Sequence, residues 1–271
     1  MGAALLITLR EGVEAALVVG IVLGVLTRFQ LDHLKRYAWA GAAVAALLSL
    51  LAGVGLYVMG VEFEGRAEEI FEGATMLAAA ALLTWMIFWM KTHGRELARK
   101  LEQETREAAQ VGVVALFGVT FFAVLREGLE TALFLTATMF QASAVSTLTG
   151  AVIGLLLAVL VGVLLFGASI RLNLRTFFNV TGLLLLLVAA GLVASGIHEL
   201  QEAKLLPVFI EHVWDINGIL DEKSTVGSFL KALFGYNGNP SLLEVSAYLA
   251  YLLVVGFAAK PADMSLRRAT A

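Results

Sequence analysis

Two short runs in this chain combine residue types that an apolar sequence rarely carries. Arg10-Glu11-Gly12-Val13-Glu14 stands near the start, and Arg126-Glu127-Gly128-Leu129-Glu130 stands near the middle. On a helix advancing about 100° per residue, the arginine and its two glutamates fall at about 0°, 100° and 40°, so all three share one face. Arg10 and Glu14 are i,i+4 neighbours, and Glu11 and Glu14 are i,i+3 neighbours. Gly12 and Gly128 have no side chain, which permits close helix approach. If the two helices cross, Glu11, Glu14, Glu127 and Glu130 meet Arg10 and Arg126 with a surplus of two negative charges. Such a cluster attracts a multivalent cation.

The elements that hold these residues are hydrophobic. Of 271 residues, 59% are hydrophobic and only 15% charged, with a mean hydropathy of +0.86. Soluble domains are about 45–50% apolar and about 25% charged, so the chain reads as an all-α integral membrane protein. Seven segments are long enough to span, roughly 2–27, 38–61, 70–90, 111–140, 147–169, 178–200 and 242–259, since a helical crossing takes about 20 residues. The start Met1-Gly2-Ala3-Ala4 has no basic region, and Arg10, Glu11 and Glu14 interrupt the apolar run, so no cleaved signal peptide is expected. The absence of cysteine excludes disulfides and thiolate metal sites, and with only four histidines any metal must be held mainly by oxygen. A net charge of −3 gives no reason to expect nucleic-acid binding.

Burying the motifs is costly. Each ionised residue at a helix centre costs about 2.5–3.5 kcal/mol on insertion scales, so six cost roughly 15–20 kcal/mol before pairing or hydration. An Arg–Glu lock that staples two helices would explain one carboxylate per arginine and leave the second without a reason. A cation pathway explains both.

The motifs also reveal a repeat. Leu9 before and Ala15-Ala16-Leu17 after the first match Leu125 before and Thr131-Ala132-Leu133 after the second. The second helices align Gly41 with Gly150 and Gly53 with Gly162, and the third share Phe71 and Phe178. The chain therefore divides into a first three-helix repeat (1–91), a cytoplasmic loop (92–110), a second repeat (111–203), an extracytoplasmic loop (204–241), and a seventh helix with its tail (242–271). An odd number of crossings inverts the second copy, and inverted repeats are typical of transporters with a site near the midplane. Basic residues in loops 28–37, 91–110, 170–177 and the tail outnumber those opposite by thirteen to four, which puts the N-terminus outside and the C-terminus in the cytoplasm.

Lesser signals are read more plainly. Residues 91–110 look like a solvated extension of helix 3, with Glu96/Lys100 and Glu102/Arg106 as i,i+4 pairs. Trp39, Trp85 and Trp89 suit headgroup anchoring, and Gly20/Gly24 and Gly150/Gly154 suit close helix contact. Met76, Met86 and Met90 read as packing. Short surface helices are expected in 201–241, a turn at Asn237-Gly238-Asn239-Pro240, and a capping box of Ser241 with Glu244. A second acidic group surrounds the outer mouth. Glu62, Glu64, Glu68, Glu69 and Glu72 precede or enter helix 3, and His198, Glu199 and Glu202 end helix 6. Most of these are ordinary solvated charges, but Glu72 reaches into the membrane, where ionisable groups mark pathways. His198 reads equally as a helix-end hydrogen bond.

These motifs resemble the oxidase-dependent iron transporters, the family of the fungal high-affinity iron permease and the bacterial iron permease EfeU. The resemblance covers nearly the whole chain. It extends to Glu69-Ile70-Phe71-Glu72-Gly73 and Leu83-Thr84-Trp85-Met86-Ile87-Phe88-Trp89-Met90 in the third helix, with Ile170-Arg171-Leu172-Asn173-Leu174 and Phe234-Gly235-Tyr236 similar to the bacterial branch. Val13 replaces the usual leucine. The resemblance implies that Arg10, Glu11, Glu14, Arg126, Glu127 and Glu130 translocate iron, as Fe2+ or Fe3+. Iron is then the substrate, with no cofactor permanently bound. The resemblance also implies extracytoplasmic partners: a cupredoxin-type protein and a haem peroxidase, or a multicopper oxidase. Independently, a glutamate-only site suits hard cations. Other readings are a permease for another divalent cation such as Mn2+, Pb2+ or Zn2+, a proton- or sodium-coupled exporter, and a helix-locked membrane scaffold. No nucleophile–base constellation or phosphate loop supports an enzyme.

Overall fold

A computed structural model describes residues 1–166, 173–222 and 224–258, apart from the side chains of Arg95, Thr225 and Ala232. Among these residues the secondary structure is helical, with no strand. In order the helices are α1 (Gly2–Arg28), α2 (Lys35–Glu62), α3 (Arg66–Val111), α4 (Val113–Gln141), α5 (Ala144–Phe166), α6 (Leu174–Glu202), α7 (Thr225–Phe234) and α8 (Leu242–Ala258). In hydrocarbon a chain must satisfy its own backbone polar groups, which selects helices for sequences this apolar. Asp32–Glu62, Arg66–Gly94, Ala144–Phe166 and Leu174–Glu202 are long and apolar enough to cross a membrane by length and composition. The helices α1 and α4 are as long, but each carries the three ionisable residues of its motif.

The long helices match the apolar segments to within a few residues, and α3 continues unbroken through residues 92–110 as the helical extension the sequence suggested. It stops at Gly112, whose φ of 138° is costly for any residue with a Cβ and lets α4 begin one residue later. The ion pairs on that extension differ from those expected. Lys100 pairs with Glu104 at 3.7 Å, and Glu102 reaches Arg28 of α1 at 3.7 Å. The tertiary neighbour, not the i,i+4 spacing alone, selects the partner. Ile170, Arg171, Leu172, Lys223 and the basic tail with Lys260, Arg267 and Arg268 lie outside the described residues.

The motif helices pack crosswise. The helix α1 lies chiefly on α5, α4 chiefly on α2, and α1 and α4 also touch each other. Small residues make the crossings close. A Cβ on Gly53 would stand 3.3 Å from Ala132 Cβ, and one on Gly162 would stand 3.1 Å from Ala16 Cβ. Gly41 faces the Phe117 carbonyl and Gly150 faces the Met1 carbonyl. Gly20 meets the Phe166 ring, whereas Gly24 opens on free space and makes no such contact. A core of Ala3, Ile7, Met76, Ala80, Leu83, Met86, Phe134, Leu185 and Leu192 joins α1, α3, α4 and α6.

In the 203–241 segment, α7 is the one described helix, ended by Gly235 at φ 67°. A side chain on Gly235 would strike Gly191 of α6, so glycine is needed there for both conformation and space. The Ser241 box forms as expected: Ser241 N–H donates to Glu244 Oε1 (3.1 Å), and Glu244 N–H donates to Ser241 Oγ (3.3 Å).

Candidate metal centre

The crossing of α1 and α4 brings the motifs together. Arg10 Nη1 lies 3.0 Å from Glu11 Oε1, and Arg10 Nη2 lies 2.9 Å from Glu14 Oε1. On α4, Arg126 Nε donates to Glu130 Oε1 at 3.0 Å and stands 4.0 Å from Glu127 Oε1. Each of Glu11, Glu14 and Glu127 offers a carboxylate oxygen within 4.8 Å of the others. Glu130, held by Arg126, stands outside this trio, though it is close enough to Glu14 and Glu11 to act on them electrostatically. All four glutamates are buried.

The glycines make this possible. A Cβ on Gly12 would stand 2.6 Å from Ala158 Cβ of α5, and one on Gly128 would strike the Ser49 hydroxyl of α2. Each motif helix is thus pressed against a partner on its glycine side while its charged face turns inward.

The two arginines are not equivalent. Arg126 does sit at the edge, with 35% of its side chain exposed and its guanidinium 4.9 Å from the Trp89 ring centroid. Arg10 is 1% exposed, and its Nη1 also donates to Met86 Sδ at 3.0 Å. Met86 and Trp89, one turn apart on α3, therefore hold one arginine each. Sequence reasoning took Met86 for packing and Trp89 for a membrane anchor; a thioether and an indole carry no mark of which cation they will meet.

The site is rich in unmet acceptors. Glu11 Oε2, Glu14 Oε1 and Glu130 Oε2 are buried acceptors without a hydrogen-bond partner, and the donor Arg10 Nε also lacks one; Glu14 Oε1 is within ion-pair distance of Arg10 but out of hydrogen-bond alignment. Unpaired buried polar atoms are costly. Two ionised carboxylates 4.8 Å apart repel by about 3–4 kcal/mol at an effective dielectric near 20. A cation among them removes both penalties. Oxygen-only donors suit a hard or borderline divalent or trivalent metal ion.

The outer acids separate into two sets. Glu62, Glu64 and Glu68 are exposed, and Glu69 and Glu72 are half-buried. Glu72 lies within electrostatic reach of Glu199, Glu68 and Glu202, because α3 and α6 cross tightly at Gly73 and Gly196. His198 is committed elsewhere. Its Nδ1 lies 3.1 Å from Glu244 Oε1 and its Nε2 lies 3.3 Å from Glu202 Oε1, so the ring clamps α6 to α8 and offers no free nitrogen. Glu244, 3% exposed, also accepts from Asn237 Nδ2 at 2.8 Å. Its place in the capping box was legible in the sequence, but its link to His198 was not.

Residues 1–262 match the family described as the iron permease FTR1 family. The chain is 40% identical over 261 residues to the protein named ferrous iron permease EfeU of Escherichia coli O6:H1 (strain CFT073), covering 94% of this chain and 95% of that one. The same identity and coverage hold for the protein of that name from Shigella sonnei. The one from Yersinia pestis is 38% identical over 251 residues, 92% of this chain and 89% of that one. No solved structure matches.

Proposed function

This chain belongs to the iron permease FTR1 family, and from that premise we propose that it imports iron across the cytoplasmic membrane, the ion passing between α1 and α4 through Glu11, Glu14, Glu127 and Glu130. It is a membrane transporter, not an enzyme. The observation that carries the route is the buried trio of carboxylates within 4.8 Å. Arg10 engages Glu11 and Glu14, and Arg126 engages Glu130, which leaves Glu127 at 4.0 Å as a charge that no lock requires. The relatives' names specify ferrous iron, and we take Fe2+ as the ion, with Fe3+ as the alternative. Iron released by an extracytoplasmic oxidase of the cupredoxin-type, haem-peroxidase or multicopper-oxidase class would be collected at Glu68, Glu69, Glu72 and Glu199.

The route implies seven spanning helices, α1 to α6 and α8, in two inverted repeats with α8 added. At about 1.5 Å per residue, α1 and α4 exceed the roughly 30 Å hydrocarbon thickness; what sets them apart from the four apolar spans is the motif itself. The crosswise packing supports the repeat. The motif spacing carries Ala16 onto Ala132 and Met1 onto Phe117, and these are the residues that Gly162, Gly53, Gly150 and Gly41 respectively face. The glycine alignment likewise carries Ser49 onto Ala158, the partners of Gly128 and Gly12. The basic asymmetry supports an extracytoplasmic N-terminus and cytoplasmic α3 extension.

Uptake of radiolabelled Fe2+ by a strain lacking other iron importers tests the reading, with Mn2+, Zn2+ and Pb2+ as competitors. Glu14→Gln and Glu130→Gln are each expected to abolish uptake at normal membrane abundance. Normal uptake by both would restore the helix lock, and preferential loss to a competitor would reassign the metal.

A further inference from the structure

A polar cavity lies at the α4 C-terminal end, apart from the motifs. It measures about 130 Å³ and is lined by Met76, Gln141, Ser195, His198, Glu199 and Glu244, with the α7 segment over it. Gln141 lies eleven residues beyond Glu130, about 16 Å along the helix. The turns between carry Phe134 and Ala137, both fully buried in the apolar core with Ile7, Leu83 and Leu192.

Three of its polar groups have spare capacity. Gln141 is 6% exposed, its Nε2 donates to Ser195 Oγ at 3.1 Å, and its Oε1 is buried with no partner. Ser195 Oγ keeps a lone pair after accepting that bond. Glu199 makes no hydrogen bond or direct ion pair among the described residues, while its neighbours are committed: His198 to Glu202 and Glu244, and Lys231 to Glu222 at 3.1 Å. Of the three carboxylates that line the cavity, Glu222 is paired with Lys231 and Glu244 with His198, so the uncompensated charge is that of Glu199, and it favours a cation.

We infer that this cavity is a second cation site, a capture site in which Gln141 Oε1, Ser195 Oγ and the Glu199 carboxylate hold a partly dehydrated divalent cation before it reaches the glutamate cluster. The inference rests on the chain being an iron permease. Donor atoms decide the hydration state: Gln141 Oε1, Ser195 Oγ and the Glu199 carboxylate replace three of the roughly six waters of an octahedral shell. Glu199 connects the site to the rim, since it lies within reach of Glu69 and Glu72. The apolar level at Phe134 keeps the site separate from the cluster, so an ion waits there until the helices shift. The site has no twin in the other repeat: the motif spacing carries Gln141 onto Val25, a buried apolar residue. Capture on one side only suits one-way uptake.

The test is equilibrium Fe2+ binding to the purified full-length protein under reductant, with uptake kinetics in proteoliposomes. Wild type should bind two ions per chain. Gln141→Met should lose one and raise the half-saturation of uptake by about tenfold or more, whereas Gln141→Glu, which adds charge and keeps the oxygen, should bind the outer ion more tightly. Glu127→Gln should lose the other ion and keep the outer one. If wild type binds a single ion that Gln141→Met and Gln141→Glu leave unchanged and Glu127→Gln removes, the capture site is refuted and the transport route stands. If Glu127→Gln alters neither binding nor uptake, the transport route fails instead. Should Gln141→Met fold poorly, Gln141→Glu and Glu199→Gln decide: no change in outer affinity in either refutes the site.

Discussion

Replacing Glu127 with glutamine separates charge from architecture more cleanly than any other change in the motifs. Glu127 Oε1 stands 4.0 Å from Arg126, whereas Glu130 and Glu14 hold their arginines at 3.0 and 2.9 Å. The amide preserves volume and an oxygen acceptor, so little but the charge is lost. In a triangle of oxygens with sides of at most 4.8 Å, a central ion lies at most about 2.8 Å from each. A divalent ion and one carboxylate at about 2.8 Å attract by ~12 kcal/mol at an effective dielectric near 20, and still by ~3 kcal/mol with the screening of bulk water. The smaller figure alone is about a hundredfold in affinity. The empty protein loses little, because the repulsion of about 3–4 kcal/mol from each ionised neighbour at 4.8 Å that disappears offsets the attraction of about 4 kcal/mol to Arg126 at 4.0 Å. Glu127→Gln should therefore weaken Fe2+ binding at the motif cluster by about a hundredfold or more while its thermal midpoint holds or rises. Equilibrium binding in detergent micelles under reductant, with parallel thermal unfolding, measures both. A folded variant whose motif cluster binds Fe2+ at nearly wild-type affinity, with no loss of stoichiometry, would refute the assignment of this charge to the ion. A large fall in thermal midpoint would make Glu127 a structural strut.

Glu72→Gln should raise the half-saturation of uptake while leaving maximal rate intact, because a mouth carboxylate concentrates cations and excess iron replaces it; concentration-dependent uptake checks this, and a lost maximal rate would move Glu72 into the translocation site. Reporter fusions after residue 105 should read cytoplasmic and those after residue 225 extracytoplasmic, and the reverse would overturn the orientation. Gly128→Val should lower stability by about 1–3 kcal/mol by crowding Ser49, whereas Gly24→Ala, inside α1 and facing open space, should leave it unchanged or raise it by up to about 1 kcal/mol; thermal unfolding of the two variants compares them, and equal effects would refute the packing argument.

The all-helical character and the approximate ends of most long helices are legible in the sequence, because apolar run length and the need to satisfy the backbone internally leave few alternatives. The same holds for the motif face and the Ser241–Glu244 cap, which depend on contacts within one or two turns. The recurrence of the motif and its flanking leucines, on which the proposed repeat rests, is likewise visible in the sequence. Choices between elements were not legible. Nothing in the spacing of Arg10 and Arg126 distinguishes an enclosed guanidinium from one at the rim; Met86 and Trp89, arriving from α3, make that distinction. Glu102 lies four residues from Arg106, yet α1 brings Arg28 to it instead. His198 acquired its role from Glu244, 46 residues away, and Gln141 became an unpaired acceptor only when α6 supplied one partner for its amide and none for its oxygen. Local periodicity fixes which face of a helix a side chain occupies, but a charge or an amide has several partners of equal chemistry, and only the crossing of the helices selects among them.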